Sequence, residues 1–459
     1  MRRINLAEYQ LAIFTGILIL LGTVSGAFAQ TSTKISQQPE ISDFRLKNGM
    51  QVVVIPDHRA PVVTHMVWYK AGSADEPTGK SGIAHYLEHL MFKGTSNVPA
   101  GEFSANVSEI GGQENAFTTT DYTAYYQKII PSALKMVMTY EADRMENLTL
   151  TDETVLPERD VILEERSQRV GSNPGAILGE TSRAMLFKHH PYGRPIIGWE
   201  HEMLALTKDD AIAFYDKFYT PNNAILVVAG DVTREMVAML AEETYGKVKR
   251  RAEPGERNRV QEPEPVAAKY AEYFDKRVTS PTWRRTYLVP SYNRAEGNDA
   301  EALDILSVIL GGASTSRINQ KIILEDKNAT AAGSYYQGGA HDMSTFSLYG
   351  IPRGDISLEA LEDAIESVVA NLIKNGVSDS EVIRARNRLI KTTIYDRDSQ
   401  TTMARIYGAV LAMGGKISDI TTWPDRMAKV TASDVERVAG KYLKKSRSVT
   451  SYLRPEVTN

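Results

Sequence analysis

Gly82-Ile83-Ala84-His85-Tyr86-Leu87-Glu88-His89-Leu90-Met91-Phe92-Lys93-Gly94-Thr95 is the stretch from which the rest of the chain can be read. Ile83, Tyr86, Leu87, Leu90 and Met91 recur at three- and four-residue steps, which predicts a helix over about 80 to 92, opened after Ser81-Gly82 and stopped at Gly94. His85 and His89 then stand one turn apart on one face, with Glu88 beside His89. Two imidazoles so placed can hold a metal ion while a neighbouring carboxylate reaches a water on it. The pattern is H-x-x-E-H, the reverse of the H-E-x-x-H zinc-peptidase helix. With eight histidines in 459 residues, roughly one chain in a hundred of this composition would carry such a pentad by chance. The bland alternative is a helix with two ordinary surface histidines.

A catalytic zinc usually takes three protein ligands and keeps a fourth position for water, so one more donor must come from elsewhere. Glu158-Arg159-Asp160-Val161-Ile162-Leu163-Glu164-Glu165-Arg166 is the best source. Glu158 and Glu165 are seven apart and share a helix face, with Val161, Ile162 and Leu163 as apolar anchors. Spacing alone does not choose Glu165 over Glu164, and by itself the run reads as a solvated acidic face. Histidine and glutamate ligands also suit divalent ions other than zinc.

Together the two runs resemble the pitrilysin/insulinase peptidases, especially their short bacterial branch, which is similar to the mitochondrial processing peptidase beta subunit. There the H-x-x-E-H helix is completed by a downstream glutamate in a run like Glu-Arg-Asp-Val-Ile-x-x-Glu. The resemblance implies His85, His89 and Glu165 as ligands of one Zn2+, Glu88 as general base and Glu158 as a second glutamate supporting catalysis from outside the ligand set. It covers about residues 40–455. It implies an α+β fold of two similar, duplicated halves facing each other like a clamshell, each a mostly antiparallel sheet packed with helices.

Gly111-Gly112-Gln113-Glu114-Asn115-Ala116-Phe117-Thr118-Thr119-Thr120-Asp121-Tyr122 resembles the family's Asn-Ala-x-Thr strand. This implies that Asn115, Ala116, Phe117 and Thr118 bind peptide substrate along an exposed strand edge, through main-chain bonds indifferent to side chains. Read from the residues alone, the same stretch is a buried Thr- and Tyr-rich strand. His190-Pro191-Tyr192-Gly193-Arg194-Pro195-Ile196-Ile197-Gly198 also resembles a family segment, but His189 and His190 lack a helical partner histidine and are not assigned to metal. In the second half, Gly311-Gly312-Ala313-Ser314-Thr315-Ser316-Arg317 resembles a family loop. Self-sufficient members follow that loop with an arginine and, seven residues on, a tyrosine that hold substrate and oxyanion. Leu324 and Ala331 fall at those positions, and neither side chain can donate a hydrogen bond. Tyr335 and Tyr336 would require an insertion. The resemblance therefore implies the zinc-carrying subunit of a heterodimer whose homologous partner supplies arginine and tyrosine.

From the start of the chain, Met1-Arg2-Arg3, the apolar stretch Leu11 to Gly22, and Ala27-Phe28-Ala29 read as a secretory signal over residues 1–29, cleaved before Gln30. The apolar core is shorter than the roughly 20 residues a bilayer-spanning helix needs. A periplasmic protein without stable membrane insertion is the expectation. There is no cysteine, so the fold stands without disulfides. Losing Arg2, Arg3 and Glu8 with the signal moves the formal charge from −4 to −5, which does not favour nucleic acid.

Residues 40–248 read as an α+β half: strands joined at Asn48-Gly49, a strand over 62–69, one long strand over 115–130, helices near 131–147, 153–168 and 174–186, and a buried strand at 224–228. Residues 249–265, with Glu-Pro-Glu-Pro at 262–265, read as a linker. Residues 266–455 repeat the order of strands and helices without the metal motif. The expected function is an exported zinc-dependent endopeptidase that hydrolyses peptides or unfolded segments in a closed chamber. The alternative is a catalytically silent peptide-binding or assembly subunit of the same fold. A structural zinc protein is disfavoured because such sites are cysteine-rich.

Overall fold

In the computed structural model, which describes residues 41–456, the turn at Asn48-Gly49 joins strands β1 (Ser42–Arg45) and β2 (Gln51–Pro56), with Gly49 at φ 94°. The signal-sequence reading over residues 1–29 lies outside the described residues. Strands β3 (Val63–Tyr69), β4 (Gln113–Thr118), β5 (Thr123–Ile129) and β6 (Ala224–Gly230) complete a six-stranded sheet in the order β1-β2-β6-β3-β5-β4. Its pairs are antiparallel except β2 with β6. The centre of the sheet is β2, β6 and β3, whose near-continuous apolar runs suit burial on both faces. The edge strand β4 is part exposed along its length.

The run 115–130 is not a single strand but a hairpin, broken at Thr119–Tyr122. Thr119 Oγ1 accepts the N–H groups of Asp121 and Tyr122 at 3.2 Å each. This hydroxyl-built turn lacks the Gly or Pro by which turns are usually read.

The second sheet contains β7 (Lys269–Asp275), β8 (Thr282–Val289), β9 (Ala329–Gln337), β10 (Ser344–Pro352) and β11 (Ser448–Pro455), ordered β7-β11-β8-β10-β9. Again one pair, β7 with β11, is parallel and the others are antiparallel. Each half is thus a mostly antiparallel sheet packed with helices, an α+β chain of two like parts.

On the first sheet lie α1 (Ile83–Leu90), α2 (Glu102–Glu109), α3 (Leu134–Asn147) and α4 (Asp152–Arg166). Ile83, Tyr86, Leu87 and Leu90 of α1 enter one core with Val137, Met138, Val155 and Ile162. The next helix, α5 (Pro174–Leu186), does something the sequence order hides. It packs on the second sheet, with Leu178 against Ala271, Val278 and Leu453 and Ser182 Oγ 2.7 Å from Ser451 Oγ. In return the helix Gln400–Ala412 packs on the first sheet, placing Ala404, Tyr407 and Leu411 among Val53, Met66, Trp68 and Ile225. Gly408 makes this approach possible, since a Cβ there would fall 2.0 Å from the Trp68 ring.

The connecting segment 249–265 is tied down. Arg257 donates to Ala412 O at 3.0 Å, and Glu262 accepts from His189 N at 2.7 Å and His190 N at 3.1 Å. Arg259, with a side chain only 6% exposed, pairs with Asp75 (2.8 Å), Asp121 (2.6 Å) and Asp342 (3.2 Å), carboxylates drawn from both halves. Burial pushes the Asp121 and Asp342 carboxyls up, but the guanidinium beside Asp121, and His190 and Arg294 beside Asp342, outweigh it and hold both below the usual carboxylate range.

Because these pKa values are depressed in the folded state, the stability they contribute is present above about pH 4–5 and is lost as pH falls through the folded values. Arg259→Ala leaves buried carboxylates uncompensated and is expected to cost about 3–5 kcal/mol at pH 7 in urea unfolding. The gap between wild type and variant should narrow toward pH 3. An equal gap at both pH values would contradict the charge network.

Candidate metal centre

The site forms where α1 lies beside α4, joined by a hydrogen bond from the Tyr86 hydroxyl to Val155 O. The first turn of α1 needs a glycine. Gly82 has φ 89°, and a Cβ on it would meet Met203 Sδ at 2.2 Å and Ile197 O at 2.8 Å.

The structure brings His85, His89 and Glu165 together, with one candidate ligand atom from each inside a 4.8 Å span. Glu165 Oε2 lies 3.5 Å from His89 Nε2 and 3.8 Å from His85 Nε2. Tetrahedral zinc, with bonds of about 2.0–2.2 Å, sets its ligand atoms about 3.3–3.6 Å apart, so the donor set fits the ion with small shifts. Of the two adjacent glutamates only Glu165 reaches the histidines: Glu164 is exposed and accepts from Gln168 Nε2 at 2.8 Å. The other oxygen of Glu165 is held by Arg169 at 2.8 Å, from a π-helical turn (Ser167–Gly171) that continues α4.

Glu158 does not join the donor set. Its Oε1 lies 2.8 Å from His89 Nδ1, and its other oxygen pairs with Lys93. Burial raises the Glu158 carboxyl, but Lys93 and His89 outweigh it and the net shift is downward. The resulting carboxylate holds the proton of His89 on Nδ1 and leaves Nε2 free to face Glu165. Burial, then the neighbouring His89 and Arg169, push His85 down to about 3, so its imidazole is neutral, the form that binds metal. Burial pushes Glu88 above its usual range, partly offset by Thr118 Oγ1 donating to Glu88 Oε2 at 2.5 Å.

Of the four strand residues read as substrate-binding, Thr118 alone meets the α1 carboxylate. Ala116 faces the α1 core. Asn115 Oδ1 accepts from the adjacent Ala116 N at 2.8 Å. Phe117 points to the opposite face, edge-on to Trp68 at 5.5 Å with Arg405 over its ring. What these residues share is the main chain of β4, the last strand of its sheet. His190 is buried, its Nε2 3.1 Å from Asp342 and its Nδ1 accepting from Tyr192 N at 3.1 Å, so it is part of the framework. Leu324 is exposed on the helical turn Asn319–Glu325, and Ala331 lies on β9. Lys93 and Arg169 went unread in the sequence, although each stands four residues beyond a site residue, the spacing of helix neighbours.

The model for the insulinase family (peptidase family M16) matches residues 51–200, and that for the peptidase M16 inactive domain matches residues 205–389. The chain is 31% identical over 422 residues to the zinc protease PqqE of Helicobacter pylori, covering 92% of this chain and 94% of that protein. It is 27% identical over 422 residues to the probable mitochondrial-processing peptidase subunit beta of Arabidopsis thaliana, covering 89% and 77%. The crystal structure of a protease from Helicobacter pylori superposes with a TM-score of 0.85 at 31% identity, covering 91% of this chain and all of that one. The chain belongs to the insulinase family of peptidases, M16. His85, Glu88, His89 and Glu165 all fall within the first matched segment, and the second, of the inactive type, holds no such cluster among the described residues.

Glu158→Ala is expected to weaken zinc binding about 10–100-fold, the usual effect of losing a carboxylate behind a histidine ligand. Chelator competition measures it, and an unchanged affinity would remove Glu158 from the site.

Proposed function

We propose that the protein is an exported zinc-dependent endopeptidase acting on peptides or unfolded segments, and the metal-carrying subunit of a pair. The observation that carries this reading is the meeting of His85, His89 and Glu165 across α1 and α4 with Glu88 on the same helix. Bound zinc would acidify a water and polarise the scissile carbonyl. His85, His89 and Glu165 would hold it. Glu88 would take the proton of the attacking water and deliver it to the leaving amine, a role suited to a carboxyl whose pKa burial has moved toward neutrality. The Thr118 hydroxyl fixes the orientation of that carboxylate. The open edge of β4 would pair with an extended peptide, leading its backbone past Glu88.

Pairing is supported by Leu324 and Ala331, which cannot donate to an oxyanion. The beta-subunit relative is, by its name, one part of an assembly. Export is supported by the charged and apolar pattern of residues 1–29. No helix among the described residues is long and apolar enough to cross a membrane. The same two positions favour a second reading, a peptide-binding subunit without turnover.

The test is cleavage of a quenched peptide by residues 30–459, with a chelator control. Glu88→Gln should retain zinc and lose hydrolysis by about 10²–10⁴-fold. Near-wild-type turnover in that variant would sink the general-base role. Robust turnover by the chain alone would refute an obligate partner. Zinc binding with no turnover, even with a companion captured from the host, would favour the silent subunit.

A further inference from the structure

His85 is the third residue of α1, so its position depends on the first turn of that helix, whose N–H groups have no partners within the helix. A helix normally meets this need with Ser, Thr, Asp or Asn at the residue before its first turn. Here that residue is Gly82, and the crowding by Met203 and Ile197 excludes any side chain. The acceptor comes instead from outside the helix. Gly82 N and Ala84 N both donate to Glu76 Oε1, at 3.0 Å each. Glu76 is 5% exposed, and its Oε2 is buried with no hydrogen-bond partner.

Glu76 is held independently of α1. It follows the turn Ser73–Asp75, where Ser73 N and Ala74 N donate to Thr119 O and Thr120 O at 3.0 and 2.9 Å, tying it to the end of the β4–β5 hairpin. Arg194 donates to Glu76 O at 2.8 Å. The adjacent Asp75 is a partner of Arg259. The acceptor that ends α1 is therefore mounted on the substrate-edge hairpin and on the charged strap between the halves.

We propose that Glu76 is a positioning residue of the metal centre, capping the first turn of α1 from outside and so setting where His85 stands relative to His89 and Glu165. The inference rests on the metal-site reading above. Leaving one carboxylate oxygen buried and unpaired is an unfavourable way to end a helix, and the close packing around Gly82 leaves no side chain there to do it instead. Burial pushes the Glu76 carboxyl well above the usual range, against the two N–H donors. Both N–H groups meet a single oxygen, Glu76 Oε1, and the side-chain carbonyl of a glutamine offers the same acceptor.

The experiment compares Glu76→Ala and Glu76→Gln in the full chain. It reads zinc affinity by chelator competition, the visible spectrum of the cobalt-substituted protein, kcat and KM separately, and thermal unfolding of the metal-free chain. Glu76→Ala is expected to bind zinc about 10–100-fold more weakly, with an altered cobalt spectrum and a lower kcat at little-changed KM. Glu76→Gln should return all of these close to wild type. Wild-type zinc affinity and cobalt spectrum in Glu76→Ala, with only the metal-free melting temperature lowered, would overturn the proposal. Should Glu76→Ala fail to fold, Glu76→Asp, one methylene short, carries the same comparison, and wild-type zinc binding in it would overturn the proposal equally. If the wild type binds zinc but cleaves no peptide even with a companion captured from the host, the peptidase reading fails, while this inference is still decided by zinc affinity and the cobalt spectrum. If the wild type binds no zinc, both fail.

Discussion

Two imidazoles and two carboxylates are largely buried where α1 meets α4, and burying such groups costs free energy unless each finds a partner. The chain meets this constraint in an ordered way. Glu158 takes the proton side of His89 and is balanced by Lys93, while Arg169 occupies one oxygen of Glu165. What remains facing inward are two Nε2 atoms and one carboxylate oxygen, Glu165 Oε2 lying 3.8 Å from His85 Nε2 and 3.5 Å from His89 Nε2. Such a grouping suits a cation better than it suits itself, which is why the metal reading follows from the donors and not from the motif alone.

The scaffold that fixes these donors is not the first half by itself. Helix α5 leaves its own half to cover the second sheet, and Gln400–Ala412 returns to cover the first. The strap through Arg259 then joins Asp75, next to Glu76, with Asp342 in the second half. The second half thus braces the helix that bears His85 and His89. The second sheet and the helix Gln400–Ala412 share cores with the first half.

How much of this was legible in the sequence varied with the kind of signal. The Asn48-Gly49 turn and the α1 periodicity are local, and both stand in the structure. The choice of Glu165 over Glu164 was not local, because a helix face is defined only once its neighbour is known. The break at Thr119–Tyr122 was missed because a hydroxyl makes that turn. Strands β7 and β11 carry little strand signal in the sequence, because β7 is rich in charged and aromatic residues while β11 buries Ser448, Thr450 and Ser451. The reading of Phe117 with Thr118 as a main-chain edge says nothing of where its side chain goes, and strand alternation sends it to the opposite face from Thr118. Glu76 gave no signal, since a cap supplied six residues upstream through space follows no helical spacing.

The central claim is that one zinc ion sits between α1 and α4. Anomalous diffraction at the zinc edge, from crystals of the zinc-loaded chain, tests it most directly. The account predicts one peak per chain, at bonding distance of about 2.0–2.2 Å from His85 Nε2, His89 Nε2 and a Glu165 oxygen, with Glu158 outside it. A peak ligated elsewhere, or none between these residues, would contradict it.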